Sequence, residues 1–202
     1  MKQLVLATNN RDKAGEFRSL LGDLDIEILL LDRFPGVGVI VEDASTLEGN
    51  AEKKAQQAFR ATNLPTLADD SGLEVYYLNG EPGVLSSRYS GSGATYETNC
   101  QKLLSRLRGV PPRRRAARFR CVLQFVAPNG VRATEEGICK GSIIENPRGN
   151  NGFGYDPLFL PEGSTKTLAE LTAIEKNSLS HRAWACQRIR PILASFFKDQ
   201  RA

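Results

Sequence analysis

One stretch constrains this chain more than any other: Leu67-Ala68-Asp69-Asp70-Ser71-Gly72-Leu73. Apolar residues run directly into two adjacent carboxylates and Ser-Gly follows, the local pattern of a buried strand that ends in a turn. Successive side chains on an extended chain point to opposite faces, so one Asp can face a cleft while the other anchors the turn. A carboxylate at a strand end is held rigidly, which suits a hard cation or a general base. The same residues also make an ordinary solvated Asp-Asp-Ser-Gly turn, and taken alone they favour that reading.

The segments before it read as alternating strands and helices. Gln3 to Ala7 is a short apolar run ending at Thr8-Asn9-Asn10. A helix is predicted next, with Asn10 or a neighbour as its N-cap, Ala14, Phe17, Leu20 and Leu21 on one face, and Gly22 as its end. Strand, polar loop and helix in that order place helix N-terminal N–H groups where they can meet an anion. Thr8, Asn9, Asn10 and Lys13 all belong to that junction, which equally suits plain capping with a surface lysine. Ile26 to Leu31 is a second strand, and residues 32–46 form a long loop carrying Glu42-Asp43. Loops of that length inside a domain are often functional. A helix is predicted from about Leu47 to Ala61, with a small-residue face of Ala51, Ala55 and Ala58. Lys54 lies near that face, so it either snorkels, as the pattern favours, or points into a cleft.

Composition narrows the class. The 202 residues carry a net charge of +4, with 41% hydrophobic and 25% charged residues, as in an ordinary soluble globular protein. The mild positive charge suits an anionic small molecule and does not demand nucleic acid. Cys100, Cys121, Cys139 and Cys186 are far apart; no spacing among them implies zinc or a secreted disulfide framework, and free thiols in a reducing cytoplasm are expected. The apolar run at the N-terminus is too short for a signal peptide and no stretch is long enough to cross a membrane. A cytoplasmic protein with no membrane partner is the expectation.

After the Asp pair, Leu73 to Leu78 reads as a further strand and Asn79-Gly80-Glu81-Pro82-Gly83 as a turn cluster. Ser86 to Gly91 is a polar loop. Thr95 caps a helix running to Leu107, with Cys100, Leu103, Leu104 and Leu107 inward. Pro111-Pro112-Arg113-Arg114-Arg115 marks a possible lobe boundary near residues 110–116. Ala117 to Val126 and Val131 to Ile144 read as strands joined at Pro128-Asn129-Gly130, a hairpin signal, with Gly137 and Gly141 as bends. Residues 146–157 form a glycine-rich loop that holds Phe153 and Tyr155 between glycines, either a ligand platform or a plain surface loop. Leu158-Phe159-Leu160 is a last short strand. Thr172-Ala173-Ile174-Glu175 is a capping box. Ser180 caps a final helix, which Pro191 should kink. His181, at that helix's first turn, is the only histidine and reads most simply as a surface residue. The fold class is α/β, a mixed central β-sheet flanked by helices, in two lobes.

In this order the segments resemble the inosine triphosphate pyrophosphatase family. The matching residues are Ala7-Thr8-Asn9-Asn10 with Lys13, Asn50-Ala51 with Lys54-Ala55, Ala68 to Leu73, Ser87-Arg88-Tyr89-Ser90-Gly91, Gly152-Phe153-Gly154-Tyr155-Asp156-Pro157, and Thr172 to Lys176 with Ser180-His181-Arg182. They span nearly the whole chain. The resemblance implies a single nucleotide pyrophosphatase domain over residues 1–202, with its active site in the cleft between the lobes. It also implies Mg²⁺-dependent hydrolysis of ITP, dITP and XTP to monophosphate and pyrophosphate, and a homodimer. Asp70 matches the catalytic carboxylate and metal ligand, with Glu42 assisting the metal and Asp69 in a supporting role. Lys13, Lys54 and the Thr8–Asn10 loop match phosphate-binding positions, and Ser71 a substrate contact. Phe153, with Gly154 and Tyr155 beside it, is the implied stacking platform. Asp156, Lys176, His181 and Arg182 match the base-recognition end.

The chain departs from the family pattern where an aromatic and a carboxylate are usual: Leu47 and Gly49 stand there, and Glu42-Asp43-Ala44-Ser45 replaces Glu-Glu-Thr-Gly. Glu48 lies one residue out of register with the missing carboxylate. Two other readings compete. One is a pyrophosphatase for other modified nucleotides. The other is a nucleic-acid-binding module built on Arg113, Arg114, Arg115, Arg118 and Arg120, against which only Phe119 interleaves that basic run.

Overall fold

The computed structural model describes residues 2–199. Six strands form one sheet: β1 (Lys2–Leu6), β2 (Ile26–Leu30), β3 (Thr66–Val75), β4 (Ala116–Val126), β5 (Arg132–Ile143) and β6 (Phe159–Pro161). Their order across the sheet is β2-β1-β3-β4-β5-β6. β1 runs parallel to β2 and β3, and β5 antiparallel to β6, so the sheet is mixed, as the sequence predicts. Among the described residues five α-helices accompany it: α1 (Arg11–Leu21), α2 (Leu47–Thr62), α3 (Tyr96–Arg106), α4 (Ala173–Leu179) and α5 (His181–Asp199).

The contacts divide the chain into two units. Unit one takes the residues up to Asp70, Cys121–Gly137 and those from Arg182 onward; unit two takes Ser71–Arg120 and Ile138–His181. In unit one the strands alternate between two cores, as a sheet buried on both faces requires. Leu4, Leu6, Leu67, Cys121, Leu123 and Phe125 pack with Ala14 and Phe17 of α1 and Cys186, Ile189 and Leu193 of α5. Val5, Ala7, Ala68 and Val126 pack with Ala55 and Ala58 of α2. Alanines on that face of α2 let the helix sit close to the strands. Unit two has one core, in which Leu73, Val75, Phe119, Ile143 and Phe159 meet Leu103 and Leu107 of α3.

Three caps fall where the sequence places them: Asn10 accepts from the Lys13 N–H at 3.0 Å, and Thr95 and Thr172 form capping boxes, each satisfying donors that a helix start leaves open. Thr46, which the sequence reading did not single out, caps α2. α5 continues through Pro191 to Asp199 as one helix.

Two local readings are corrected. The Asp69-Asp70 segment does not end in a turn at Ser71-Gly72; β3 continues to Val75. Gly72 is not in the left-handed region, so nothing reverses the chain there, and the Leu73 N–H is taken by Ser86 Oγ at 2.9 Å. The strand expected to reach Leu78 instead stops at Val75, where Tyr76–Leu78 tightens into a 3₁₀ turn. Asn79 then takes φ 53°, a conformation Asn tolerates.

Candidate active site

The alternation of β3 decides where each carboxylate goes. Asp69 continues the Leu67 face, toward α1 and α5, and Asp70 continues the Ala68 face, toward α2. The partners follow. Asp69 Oδ2 accepts from Lys13 Nζ of α1 at 2.7 Å, and Arg182 Nη2 of α5 lies 3.8 Å from the same oxygen. Asp70 Oδ1 accepts from Lys54 Nζ of α2 at 2.8 Å, and Asp70 Oδ2 from Asn50 Nδ2, one helical turn earlier, at 3.2 Å.

Lys54 is buried and does not snorkel: its ammonium also reaches Glu42 Oε2 at 3.0 Å, so one cation bridges two carboxylates. The segment carrying Glu42 is tethered at several points. Gln57 Nε2 donates to the carbonyls of Val37 and Val39, Lys53 pairs with Asp43, and the Ala44 N–H donates to Asn50 Oδ1 at 2.9 Å. Gly49 permits this close passage, since a Cβ there would stand 2.9 Å from the Ala44 Cβ. The glycine that departs from the family pattern thus lets the Glu42 segment lie against α2. Glu48 is exposed.

The two aspartates have opposite electrostatics. Burial alone would lift Asp69, but Lys13, Arg182 and Lys54 hold its carboxyl well below the usual range. For Asp70 burial wins over Lys54 and Lys13, with Glu42 adding to the rise, and its pKa is pushed up to about 6. Glu42 stays below its ordinary value: burial would raise it, but Lys54 outweighs that. Asp69 is therefore a fixed anion that orders Lys13. Asp70 sits near neutrality, where a carboxylate exchanges protons most usefully. Glu16 on α1 completes the buried set by pairing with Arg182.

The remaining expected residues lie in unit two, apart from Thr8, Asn9, Asn10 and Arg182. Thr8 Oγ1 accepts from the Asn10 N–H at 3.2 Å, which shapes the loop before α1; Asn9 is exposed. Ser71 is half-buried in β3. In the glycine-rich loop, Asp156 Oδ2 accepts from the Phe153 N–H at 2.9 Å and from Lys176 Nζ at 2.5 Å. Lys176 Nζ lies 4.8 Å from the centre of the Phe153 ring, close enough for a cation–π contact. Gly152 makes the cluster possible: its φ is +71°, and a Cβ would fall 2.1 Å from Asp156 Oδ2. Gly154 also has positive φ, at 62°. Tyr155 is buried, and its hydroxyl donates to the Ser86 carbonyl at 2.9 Å. His181 is buried rather than superficial, its ring stacked 4.7 Å from Phe119. Arg182 is grouped not with His181 but with Asp69 and Glu16.

Two participants are missing from the sequence-derived set. Asn50 holds Asp70, and its position four residues before Lys54 on one helix face was the available signal. Glu16, three residues after Lys13, holds Arg182; the sequence separation of 166 residues hid that pair. The basic run is largely committed internally. Arg118 and Arg120 both donate to Glu74, Arg115 is buried against the Val110 and Leu107 carbonyls, and Arg114 lies over the Tyr77 ring.

Comparison with known proteins gives a consistent picture. The Ham1 family model matches residues 4–192. A protein of Desulfotalea psychrophila named dITP/XTP pyrophosphatase is 47% identical over 93% of this chain and 83% of its own length. One of Geobacter sulfurreducens with the same name is 48% identical over 92% and 93%. Among solved structures, a HAM1 protein from Coxiella burnetii superposes with a TM-score of 0.87 at 41% identity, covering 96% of this chain and all of that one. A nucleoside-triphosphatase, dITP/XTP pyrophosphatase, from Mycobacterium abscessus superposes at 0.76 with 40% identity, covering 94% and 99%. On the match of its family model and the identity of its relatives, the chain belongs to the Ham1 family.

Proposed function

We propose that this protein hydrolyses non-standard purine nucleoside triphosphates (dITP, XTP and ITP) between the α and β phosphates, giving the monophosphate and pyrophosphate and clearing such nucleotides from the pool. The observation that carries this reading is the geometry at Asp70: a buried carboxylate fixed by Lys54 and Asn50, beside a second lysine ordered by Asp69. Relatives bearing the dITP/XTP pyrophosphatase name at 42–48% identity support it.

A triphosphate carries several negative charges, so attack by water needs neutralisation and positioning. Lys13 and Lys54 supply the positive charge; the Thr8 and Asn10 N–H groups are taken by the Leu6 carbonyl and Thr8 Oγ1, so the Thr8–Asn10 loop contributes through its side chains and the Asn9 N–H at the start of α1. Asp70 orients the water and takes its proton on a carboxylate oxygen as the bond to the pyrophosphate leaving group breaks. Ser71 adds a substrate contact.

The residues fit Mg²⁺. Glu42 and Asp70 are hard oxygen donors that share one lysine, and no cluster of three metal-ligating side chains exists among the described residues. Magnesium commonly takes one or two carboxylates and draws its other ligands from water and substrate phosphates. Bound there, it would supply Lewis-acid charge stabilisation.

The base belongs with the Gly152–Pro157 segment. Phe153 provides a stacking surface, worth about 1–3 kcal/mol by analogy with base–aromatic stacking. Asp156 fixes Lys176, whose ammonium can donate to a C6 carbonyl. Hypoxanthine, xanthine and guanine present that acceptor, so this contact rejects adenine, whose amino donor cannot meet the ammonium, and the exclusion of guanine falls to the C2 position. His181, packed on Phe119, belongs to this end, whereas Arg182 acts through its hold on Asp69, the anion that orders Lys13. A cytoplasmic homodimer is part of the same reading. No helix among the described residues is long and apolar enough to cross a membrane.

The deciding experiment is hydrolysis of ITP, ATP and GTP with Mg²⁺ and with EDTA, identifying products. Monophosphate and pyrophosphate from ITP, little from ATP or GTP, and nothing in EDTA is the expected pattern. Cleavage of all three would overturn the base-recognition assignments, and no cleavage by folded protein would overturn the activity.

A further inference from the structure

The first residue of α3, Tyr96, is 44% exposed. Its ring centre lies 5.8 Å from that of Phe153, with the planes tilted by 38°. That distance is within the range of aromatic pairs but too long for a face-to-face stack.

The position is rigid. Thr95 and Thr98 close a capping box around the helix start, and Asn99 ties the same turn to the polar loop by donating to the Ser86 and Ser87 carbonyls and accepting from the Ser90 N–H. One turn further along the same face, Cys100 Sγ donates to the Gly154 carbonyl at 3.3 Å. Two positions one turn apart on α3 thus meet the glycine-rich loop at its aromatic residue and just after it. Tyr96 meets the Phe153 ring, and Cys100 meets the backbone immediately after it.

We propose that Tyr96 is a base-contacting residue that widens the Phe153 platform into a two-ring shelf for the purine. The inference rests on the reading of Phe153 as the stacking surface. A purine is two fused rings and exceeds the area of one phenyl ring, so Phe153 alone leaves part of its face to water. Tyr96 covers that part, and its tilt leaves the ring accessible. Tyrosine suits the place because it adds a large flat contact at little conformational cost. The shelf acts on purines as a class through area and so strengthens binding without discriminating at C6; that discrimination stays with the Lys176 end.

The test combines steady-state ITP hydrolysis by wild type, Tyr96→Ala, Tyr96→Phe and Phe153→Ala with NMR of protein carrying ¹³C-labelled tyrosine rings. The chain has five tyrosines, and the Tyr96 signal is assigned by its loss in Tyr96→Phe. Tyr96→Ala is expected to raise KM roughly threefold to tenfold at near-constant kcat, Tyr96→Phe to restore it, and inosine 5′-monophosphate, but not ribose 5-phosphate, to shift the Tyr96 resonance. If Phe153→Ala raises KM while Tyr96→Ala does not, or if inosine monophosphate binds without moving the Tyr96 signal, the shelf is refuted and the Phe153 platform stands. If neither substitution changes KM, the platform falls and the shelf with it.

Discussion

Replacing Asp70 by asparagine should abolish turnover and yet make the protein more stable at pH 8. The folded protein raises this carboxyl from 3.8 to about 6, because burial outweighs the attraction of Lys54 and Lys13. The folded state therefore binds a proton more tightly than the unfolded chain between about pH 4 and pH 6. Stability from this group is complete below pH 4 and is lost as pH rises through 6. At about 1.4 kcal/mol per pH unit, the loss by pH 8 is about 3 kcal/mol. Asparagine keeps an oxygen for Lys54 or Asn50 and cannot ionise. Part of the gain is returned: despite burial, Lys54 is held charged by Asp69, Asp70 and Glu42, and the variant removes one of the three. A net gain of about 1–3 kcal/mol corresponds to a rise in Tm of about 2–10 °C for a chain of this size. Thermal unfolding in EDTA at pH 4 and pH 8 measures it, with hydrolysis assayed on the same samples. A variant that melts below wild type at pH 8, or whose advantage does not shrink toward pH 4, would refute the account of Asp70 as a strained anion. Near-normal turnover would refute its catalytic role.

Asp69→Asn should act in the opposite direction: it leaves the half-buried Lys13 without its ion pair and the buried Arg182 with Glu16 alone, which costs about 1–3 kcal/mol. Because the folded protein holds Asp69 well below the usual range, its contribution is present above about pH 4 and is lost as pH falls further. Urea midpoints followed from pH 6 to pH 3 should therefore decline more steeply in wild type than in the variant; parallel curves would count against the pairing. Gly152→Ala should cost about 1–3 kcal/mol for the positive φ and displace Asp156, raising KM for ITP more than it lowers kcat. An unchanged KM would separate Asp156 from base recognition. Gly49→Glu should weaken Mg²⁺ activation, read as a higher Mg²⁺ concentration for half-maximal rate, because the new side chain pushes the Glu42 segment off α2; unaltered Mg²⁺ dependence would mean that the segment does not assist the metal.

Most of the framework was legible because it depends on local signals. The apolar runs, Asn10, Thr95 and Thr172 as caps, and the alanine face of α2 each follow from residues within one or two turns. Readings failed where a distant partner overrides a local preference. Ser71-Gly72 carries turn chemistry, yet neighbouring strands keep it extended. Lys54 fits a snorkelling pattern until Asp70 and Glu42 give its ammonium a buried destination. A terminal histidine looks superficial until Phe119, 62 positions earlier in the numbering, supplies a stacking face. The outcome of the Asp-Asp pair was derivable in part: alternation guarantees opposite faces, but only the packing of α1, α2 and α5 says which face holds which cation.

The pairing of Glu16 with Arg182 has a consequence for synthesis. Chains emerge N-terminus first, at about 5–20 residues per second. β1, α1 and both aspartates leave the ribosome long before the residue that closes their electrostatic set. Until α5 is made, Asp69 has Lys13 but not Arg182, and Leu4, Phe17 and Leu67 lack the helix face that covers them. A growing chain can therefore hold its reactive carboxylates without an ordered site around them. Without α5 the chain lacks Arg182 and the Cys186, Ile189 and Leu193 face that covers β1 and α1, so a translation product truncated before it is expected to be inactive.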